Sequence, residues 1–367
     1  MKNGLLVADC DMHIFEPPDL WQRYIDPAYR HAAPVGLTEM RRDMRVKVKS
    51  HVILRMGTVR PIDPAASTAW KSSHDTAYAH AEARKWDPTS QREAMDAEGI
   101  DVAALSINPY WYRAERDAAA ELIKIQNEKL AEFCAATPDR FVAFATVALQ
   151  HPQLAVEQLD HAIKTLGLRG LSVGGSVAGQ ELADPKFHPV WAKAEELGIL
   201  IFMHPLGTRE LEPSGRLRGS GLLTNTIGNP LETTIALSHL IFEGTLDRFP
   251  GLKICAAHGG GFLPSYANRS DAVITTFPNR VGPLPKKKPT QYLKDGQLYF
   301  DSIMFTAEGM RHLITETGVG QIVIGTDYPF PWNRVPIDHI MSIPGLSDED
   351  RIAILGGTAA KLLGINP

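Results

Sequence analysis

Leu5-Leu6-Val7-Ala8-Asp9-Cys10-Asp11-Met12-His13 begins as an apolar run and ends on residues that bind metals or carry protons. A strand buried on both faces is almost wholly apolar, so polar groups gathered at its C-terminal end ask for a chemical reason. Strand side chains alternate with a period of two. That spacing places Asp9, Asp11 and His13 on one face, with Asp11 and His13 side by side at the rim. The same phrasing recurs downstream. Ile199 to Met203 is apolar and ends on His204-Pro205. Lys253 to Ala257 ends on His258-Gly259-Gly260-Gly261, and Gln321 to Ile324 leads into Gly325-Thr326-Asp327-Tyr328-Pro329.

Working outward, eight apolar runs alternate with segments of helical period: Leu5–His13, Val102–Asn108, Phe141–Leu149, Leu168–Val173, Ile199–His204, Lys253–His258, Leu298–Met304 and Gln321–Asp327. Helices are expected between the later ones, at Leu154–Leu166, Pro185–Leu197, Asn229–Phe242 and Ala307–Thr317. Leu197-Gly198-Ile199 and Thr317-Gly318-Val319 read as helices ending at a glycine before the next strand. The alternation predicts an α/β fold, a (β/α)₈ TIM barrel, whose active site lies at the C-terminal strand ends. The whole chain, 1–367, reads as one such domain. The first connection is too long for a plain βα loop. Phe15 to about Thr89 is therefore expected as an insertion, packed through groups such as Leu20, Trp21, Leu54 and Trp70, that forms a lid over the barrel mouth. A second long connection, Ser265 to Gly296, holds Pro285-Lys286-Lys287-Lys288-Pro289 and reads as an exposed turn.

Composition narrows the function. The chain has 367 residues, 44% hydrophobic and 22% charged, with a formal charge of -4. No global basic field draws it to nucleic acid or anionic lipid. The basic cluster Arg41 to Lys49 is interleaved with Met and Val and reads as a solvated face of the insertion. No stretch is long and apolar enough to span a bilayer. Three widely spaced cysteines fit a reducing compartment, and the N-terminus does not read as a signal peptide, so a cytoplasmic location is expected.

Asp11, His13, His204 and Asp327 together offer two imidazoles and two carboxylates. This set suits one divalent cation, Zn²⁺ first, with Mn²⁺ as the alternative that the carboxylates permit. Tyr110, Trp111 and Trp332 are the candidate aromatic groups for contacting substrate.

These motifs resemble the amidohydrolase-2 branch of the amidohydrolase superfamily, and within it the aminocarboxymuconate-semialdehyde decarboxylase group. Ala256-Ala257-His258-Gly259-Gly260-Gly261 and Gly325-Thr326-Asp327-Tyr328-Pro329-Phe330-Pro331 carry the resemblance, and Ile354 to Leu363 matches the family's last helix. The resemblance implies that His204 and Asp327 bind metal and that His258 is the acid/base acting with metal-bound water. Asp327 is implied to share in proton transfer. The family's usual His-x-His on the first strand is Asp11-x-His13 here. Dinuclear relatives place a bridging Lys at the end of the fourth strand. This sequence has Ser172-Val173-Gly174-Gly175, which implies one metal. Gly261 stands where resorcylate-type decarboxylases carry Glu, and Leu206 where the family's His-Pro-Trp carries Trp. Arg55 is the candidate for the family's substrate-carboxylate Arg, and a homodimer is implied. The expected activity is non-oxidative decarboxylation of a small aromatic or unsaturated carboxylate. The alternative is metal-dependent hydrolysis of an amide, lactone or thioester.

Overall fold

The computed structural model describes residues 4–16, 20–28, 35–37, 44–48, 51–56, 86–109, 111–208, 214–330, 332 and 335–365. Eight parallel strands form one sheet in chain order. They are β1 (Ala8–His13), β2 (Val102–Ser106), β3 (Phe141–Ala145), β4 (Gly170–Val173), β5 (Leu200–Met203), β6 (Lys253–Ala256), β7 (Leu298–Asp301) and β8 (Ile322–Val323). Backbone bonds join the last strand region to the first. Cys10 N–H donates to Ile324 O, Asp327 N–H to Asp11 O and His13 N–H to Tyr328 O, at 2.9, 2.7 and 2.7 Å. The sheet is thereby a (β/α)₈ barrel, and all eight expected strands lie where the apolar runs put them.

Helices return the chain between strands: α1 (Pro88–Glu98), α2 (Arg116–Ala135), α3 (Pro152–Lys164), α4 (His188–Leu197), α5 (Asn229–Phe242), α6 (Leu263–Thr276), α7 (Ala307–Thr317) and α8 (Thr358–Leu363). Local sequence fixes their ends. The Asp87 carboxylate caps α1 by accepting from Thr89 and Ser90 N–H, Pro88 takes the first turn, and Gly99 closes the helix at φ 77°. Gly198 ends α4 in the left-handed region, φ 65° and ψ 21°, as expected. Gly318 after α7 differs. Its φ of 88° comes with ψ 144°, so it turns the chain into a short 3₁₀ segment, Val319–Gln321, instead of a left-handed cap. The segment expected as a long connection after Ser265 begins within helix α6, which runs to Thr276 because Leu263, Pro264 and Ala267 share a buried face. Lys286, Lys287 and Lys288 are exposed, as the sequence indicates.

Two apolar layers result. Between sheet and helices, Leu105, Leu171, Ile201, Ile254 and Phe300 pack against Leu130, Leu159, Trp191 and Leu237. Inside the barrel, Cys10, Ala104, Phe144, Phe202, Cys255 and Val323 fill the interior, with Phe144 and Phe202 stacked at 5.2 Å between centroids. Fully burying one such phenylalanine contributes roughly 1.5–3 kcal/mol. This packed floor leaves only the C-terminal mouth for chemistry.

Within the expected insertion, the backbone forms a three-stranded antiparallel sheet of Val35–Leu37, Met44–Val48 and His51–Met56. Residues 57–85 lie outside the described residues, as do several shorter stretches. The C-terminal bound moves slightly, because Pro88 and Thr89 already belong to α1.

Candidate metal centre

The register of β1 against β2 decides which of its side chains enter the barrel. Ala8 pairs with Val102, Asp9 with Ala103, Met12 with Leu105 and His13 with Ser106, so Cys10 and Asp11 together oppose Ala104 alone. This is a β-bulge, which re-aims side chains along one strand. Ala103 and Leu105 face the helices, so Asp9 and Met12 do too; Ser106 faces inward, and so does His13. The expected shared face of Asp9, Asp11 and His13 is thus corrected. Asp9 points away, where it accepts from Thr326 Oγ1–H at 2.6 Å and from Asp11 N–H at 2.9 Å. Without the extra residue, Cys10 facing inward would send His13 outward.

The four expected ligands converge. His13 Nε2 lies 2.9 Å from Asp327 Oδ1, 3.3 Å from His204 Nε2 and 3.4 Å from Asp11 Oδ1. His204 Nε2 lies 3.5 Å from Asp327 Oδ1. Donors placed ~2.1 Å from one cation stand about 3.0 Å apart in octahedral and about 3.4 Å apart in tetrahedral arrangement. Asp11, His13, His204 and Asp327 are all buried. Among the described residues, neither oxygen of the fully buried Asp11 carboxylate has a hydrogen-bond partner. An unpartnered buried carboxylate is costly, and a cation removes that cost. The donor set therefore fits a divalent ion.

Electrostatics point the same way. Burial, then the neighbouring His13, lowers the His204 imidazolium to about 3, so the ring is neutral and able to ligate. Burial opposes ionisation of Asp327, but His13, His204 and His258 outweigh it and hold this carboxyl well below the usual range. Asp11 moves the other way: burial, then the Asp327 and Asp301 carboxylates, raise it well above that range. His13 is oriented from behind, with Nδ1 2.8 Å from Ser106 Oγ. Such outer contacts fix which ring nitrogen faces a metal.

His258 follows β6 on a turn in which it and Gly259, Gly260 and Gly261 all have positive φ, from 57° to 76°. No side chain fits at Gly261, where a Cβ would stand 2.2 Å from Pro230 O. Asp301, at the end of β7, holds this turn. Its carboxylate accepts from His258 N–H at 2.7 Å, Gly259 N–H at 2.8 Å and Ile303 N–H at 3.0 Å. The turn sets His258 Nε2 3.6 Å from Asp327 Oδ2 and its ring 4.9 Å from that of His204. Burial acts to lower the His258 imidazolium, but the Asp327 and Asp301 carboxylates outweigh it and raise its pKa. One donor atom each from Asp11, His204, His258 and Asp327 also falls within 4.8 Å of the others. His258 thus borders the ligands at the more open side, with 17% of its side chain exposed. Asp301 was missed in the sequence, although its signal matches the others: an acid ending an apolar strand, Leu298-Tyr299-Phe300-Asp301.

The family model described as Amidohydrolase matches residues 8–365. The chain belongs to the amidohydrolase family. Among curated relatives of this amidohydrolase, 2-amino-3-carboxymuconate-6-semialdehyde decarboxylase of Dictyostelium discoideum is 31% identical over 285 residues, 77% of this chain and 78% of that protein. The crystal structure of 5-carboxyvanillate decarboxylase from Sphingomonas paucimobilis superposes with a TM-score of 0.76 at 23% identity, over 99% of this chain and 100% of that one. A dihydroxybenzoic acid decarboxylase from Polaromonas sp. JS666, solved with bound manganese and an inhibitor, 2-nitroresorcinol, gives 0.70 at 23% identity, over 99% and 98%. At these identities the two structures carry the fold.

The remaining expected residues of the amidohydrolase are less uniformly placed. Gly174 and Gly175 follow β4 and pack closely against neighbouring side chains. A Cβ there would stand 2.7 Å from Leu206 and 2.5 Å from Glu232. Trp332 reaches the site, its indole N–H donating to Asp327 Oδ2. Trp111 is buried with Leu20, Leu122 and Leu154, and its indole donates to Gln126 Oε1, so its side chain serves packing beneath the β2 loop. Arg55 lies on the strand His51–Met56 with its backbone opposite Arg45, and its side chain is outside the described residues. Tyr110 also lies outside them.

Proposed function

We propose that this amidohydrolase removes CO₂, without oxidation, from a small aromatic or unsaturated carboxylate. Asp11, His13, His204 and Asp327 hold one divalent cation in this reading, and His258 handles the proton. The single observation that carries it is the buried cluster of two carboxylates and two imidazoles, with His258 standing at its open edge, raised in pKa by Asp327. A cation bound there supplies the positive charge that steadies the electron pair left on carbon. The C–CO₂ bond breaks, that pair stays on carbon, and a proton takes the place of CO₂. His258 is the group positioned to deliver it. Two imidazoles and two carboxylates accept Zn²⁺ or Mn²⁺. Trp332 offers a flat wall to a planar substrate. We also propose a lid role for the segment that follows β1, a reading supported by Phe15, which meets Phe330 at the rim, 6.4 Å between ring centroids. The three free cysteines suit a reducing compartment such as the cytoplasm. A homodimer is the expected assembly, checked by sedimentation.

The second reading keeps the same residues and directs hydroxide onto an amide, lactone or thioester carbonyl. A panel of hydroxylated aromatic and muconate-type carboxylates, run in deuterated and in ¹⁸O-labelled water, separates the two. Decarboxylation places one deuteron on the product carbon that lost CO₂. Solvent oxygen in the product, with no CO₂ released, would overturn it.

A further inference from the structure

Trp332 stands five residues after Asp327, on the segment leaving β8. Its Nε1–H donates to Asp327 Oδ2 at 2.6 Å. The other oxygen, Oδ1, faces His13 Nε2 at 2.9 Å and His204 Nε2 at 3.5 Å. The carboxylate is thus divided, with one oxygen toward the ligands and one toward the indole. His258 Nε2, at 3.6 Å from Oδ2, is beyond hydrogen-bonding reach of it. Burial does not explain where the indole sits. Trp332 is 41% exposed, and the ring it leans on, Phe305, is 67% exposed. The two rings meet nearly edge to face, 6.2 Å between centroids. What locates the indole is its bond to a carboxylate, and donors to a charged acceptor are about twice as strong as neutral ones.

We propose that Trp332 is a positioning residue for Asp327. Its N–H occupies Oδ2, turns Oδ1 alone toward the ligand cluster, and leaves the His258 ring unbonded to that oxygen. Phe305 braces the indole from outside. The terminal torsion of Asp is broad, so an unheld carboxylate presents either oxygen. Partners behind a ligand change metal affinity by roughly 10–100-fold. The proposal rests on Asp327 being a ligand, and it gives Trp332 a role beyond that of a substrate wall.

The test is zinc titrated alone into chelator-treated protein, against a chromophoric competitor, beside steady-state kinetics. Trp332→Phe keeps an aromatic ring and deletes the donor together with part of the indole. Zinc affinity is expected to fall about 10–100-fold and kcat to fall with it, while KM moves less than about 2-fold. Trp332→His restores an N–H at the matching edge of a five-membered ring, and it should recover much of both losses. A raised KM with unchanged zinc affinity and kcat would make Trp332 a substrate wall only and overturn the proposal. So would a folded Trp332→His no better than Trp332→Phe. Asp327→Asn separates the two levels. Zinc affinity untouched in that variant removes the ligand reading itself; zinc lost there but kept in Trp332→Phe removes the positioning role alone.

Discussion

His204 and His258 lie with ring centroids 4.9 Å apart, yet their surroundings push them in opposite directions. His204 is neutral and ready to ligate, whereas His258 holds its proton more tightly than a free imidazole. Exchanging each for Asn therefore has different consequences. His204→Asn should lose metal and turnover together. His258→Asn should keep most of the metal while turnover falls on the order of 10²-fold. Metal analysis and rate on the same preparations check this; a metal-free His258→Asn would place that ring among the ligands. Asp11 is read the same way. Asp11→Ala should lower metal content, whereas Asp11→His should retain it, because an imidazole refills the buried void with a donor. Glu16, three residues past His13, permits a pH prediction. Burial pushes its carboxyl up to about 7, against hydrogen bonding that includes the Gln126 amide. The folded state therefore holds this proton where the unfolded chain, near 4.5, releases it. Stability from this group is complete below pH 4.5 and declines as pH rises toward 7, by on the order of 3 kcal/mol. Glu16→Gln keeps the acceptor oxygen and removes the titration. Denaturant midpoints of both proteins at pH 5 and pH 8 should show a flatter response in the variant.

At the scale of elements, β1 and the turn after β6 do the aiming. The apolar runs located all eight strands because parallel strands buried on both faces leave a plain apolar record. They also placed Asp11, His13, His204 and Asp327 at C-terminal strand ends, where the structure brings them together. The bulge at Cys10 and Asp11 was not legible, since one extra residue changes pairing without changing composition. The period-two reading consequently assigned Asp9 to the wrong face. Asp301 escaped for a different reason. It too ends an apolar strand, but its partners are backbone N–H groups of the β6 turn, and the pattern does not record that role. Gly325 is the complementary case. A Cβ there would lie 2.9 Å from the Cβ atoms of both Asp11 and Asp301, so only glycine lets the two carboxylates share this corner. Asp301→Asn turns an amide N–H toward backbone donors and should release the His258 turn. Metal content should stay near normal while kcat drops about 10-fold or more, with a shifted pH profile. An unchanged profile with lower thermal stability would reduce Asp301 to a packing role.

Across the whole molecule, β4 is followed by Gly174 and Gly175, against which the Leu206 and Glu232 side chains pack, so no lysine stands at that strand end. Elemental analysis should find about one divalent ion per chain. Removing it should lower the melting temperature, and readdition should restore it, because a ligand of the folded state stabilises by mass action. Two ions per chain, or an unchanged melt on chelation, would contradict this.

The closure of the barrel has a consequence in time. Asp11 O receives the N–H of both Thr326 and Asp327, so the seam between first and last strands and the ligand cluster are one structure. A nascent chain displays Asp11 and His13 long before its last strand. It lacks Asp327 until some three hundred further residues have emerged. On the proposed ligand set, loading of the ion follows synthesis of the eighth strand, and a chain arrested before it is expected to bind the cation far more weakly.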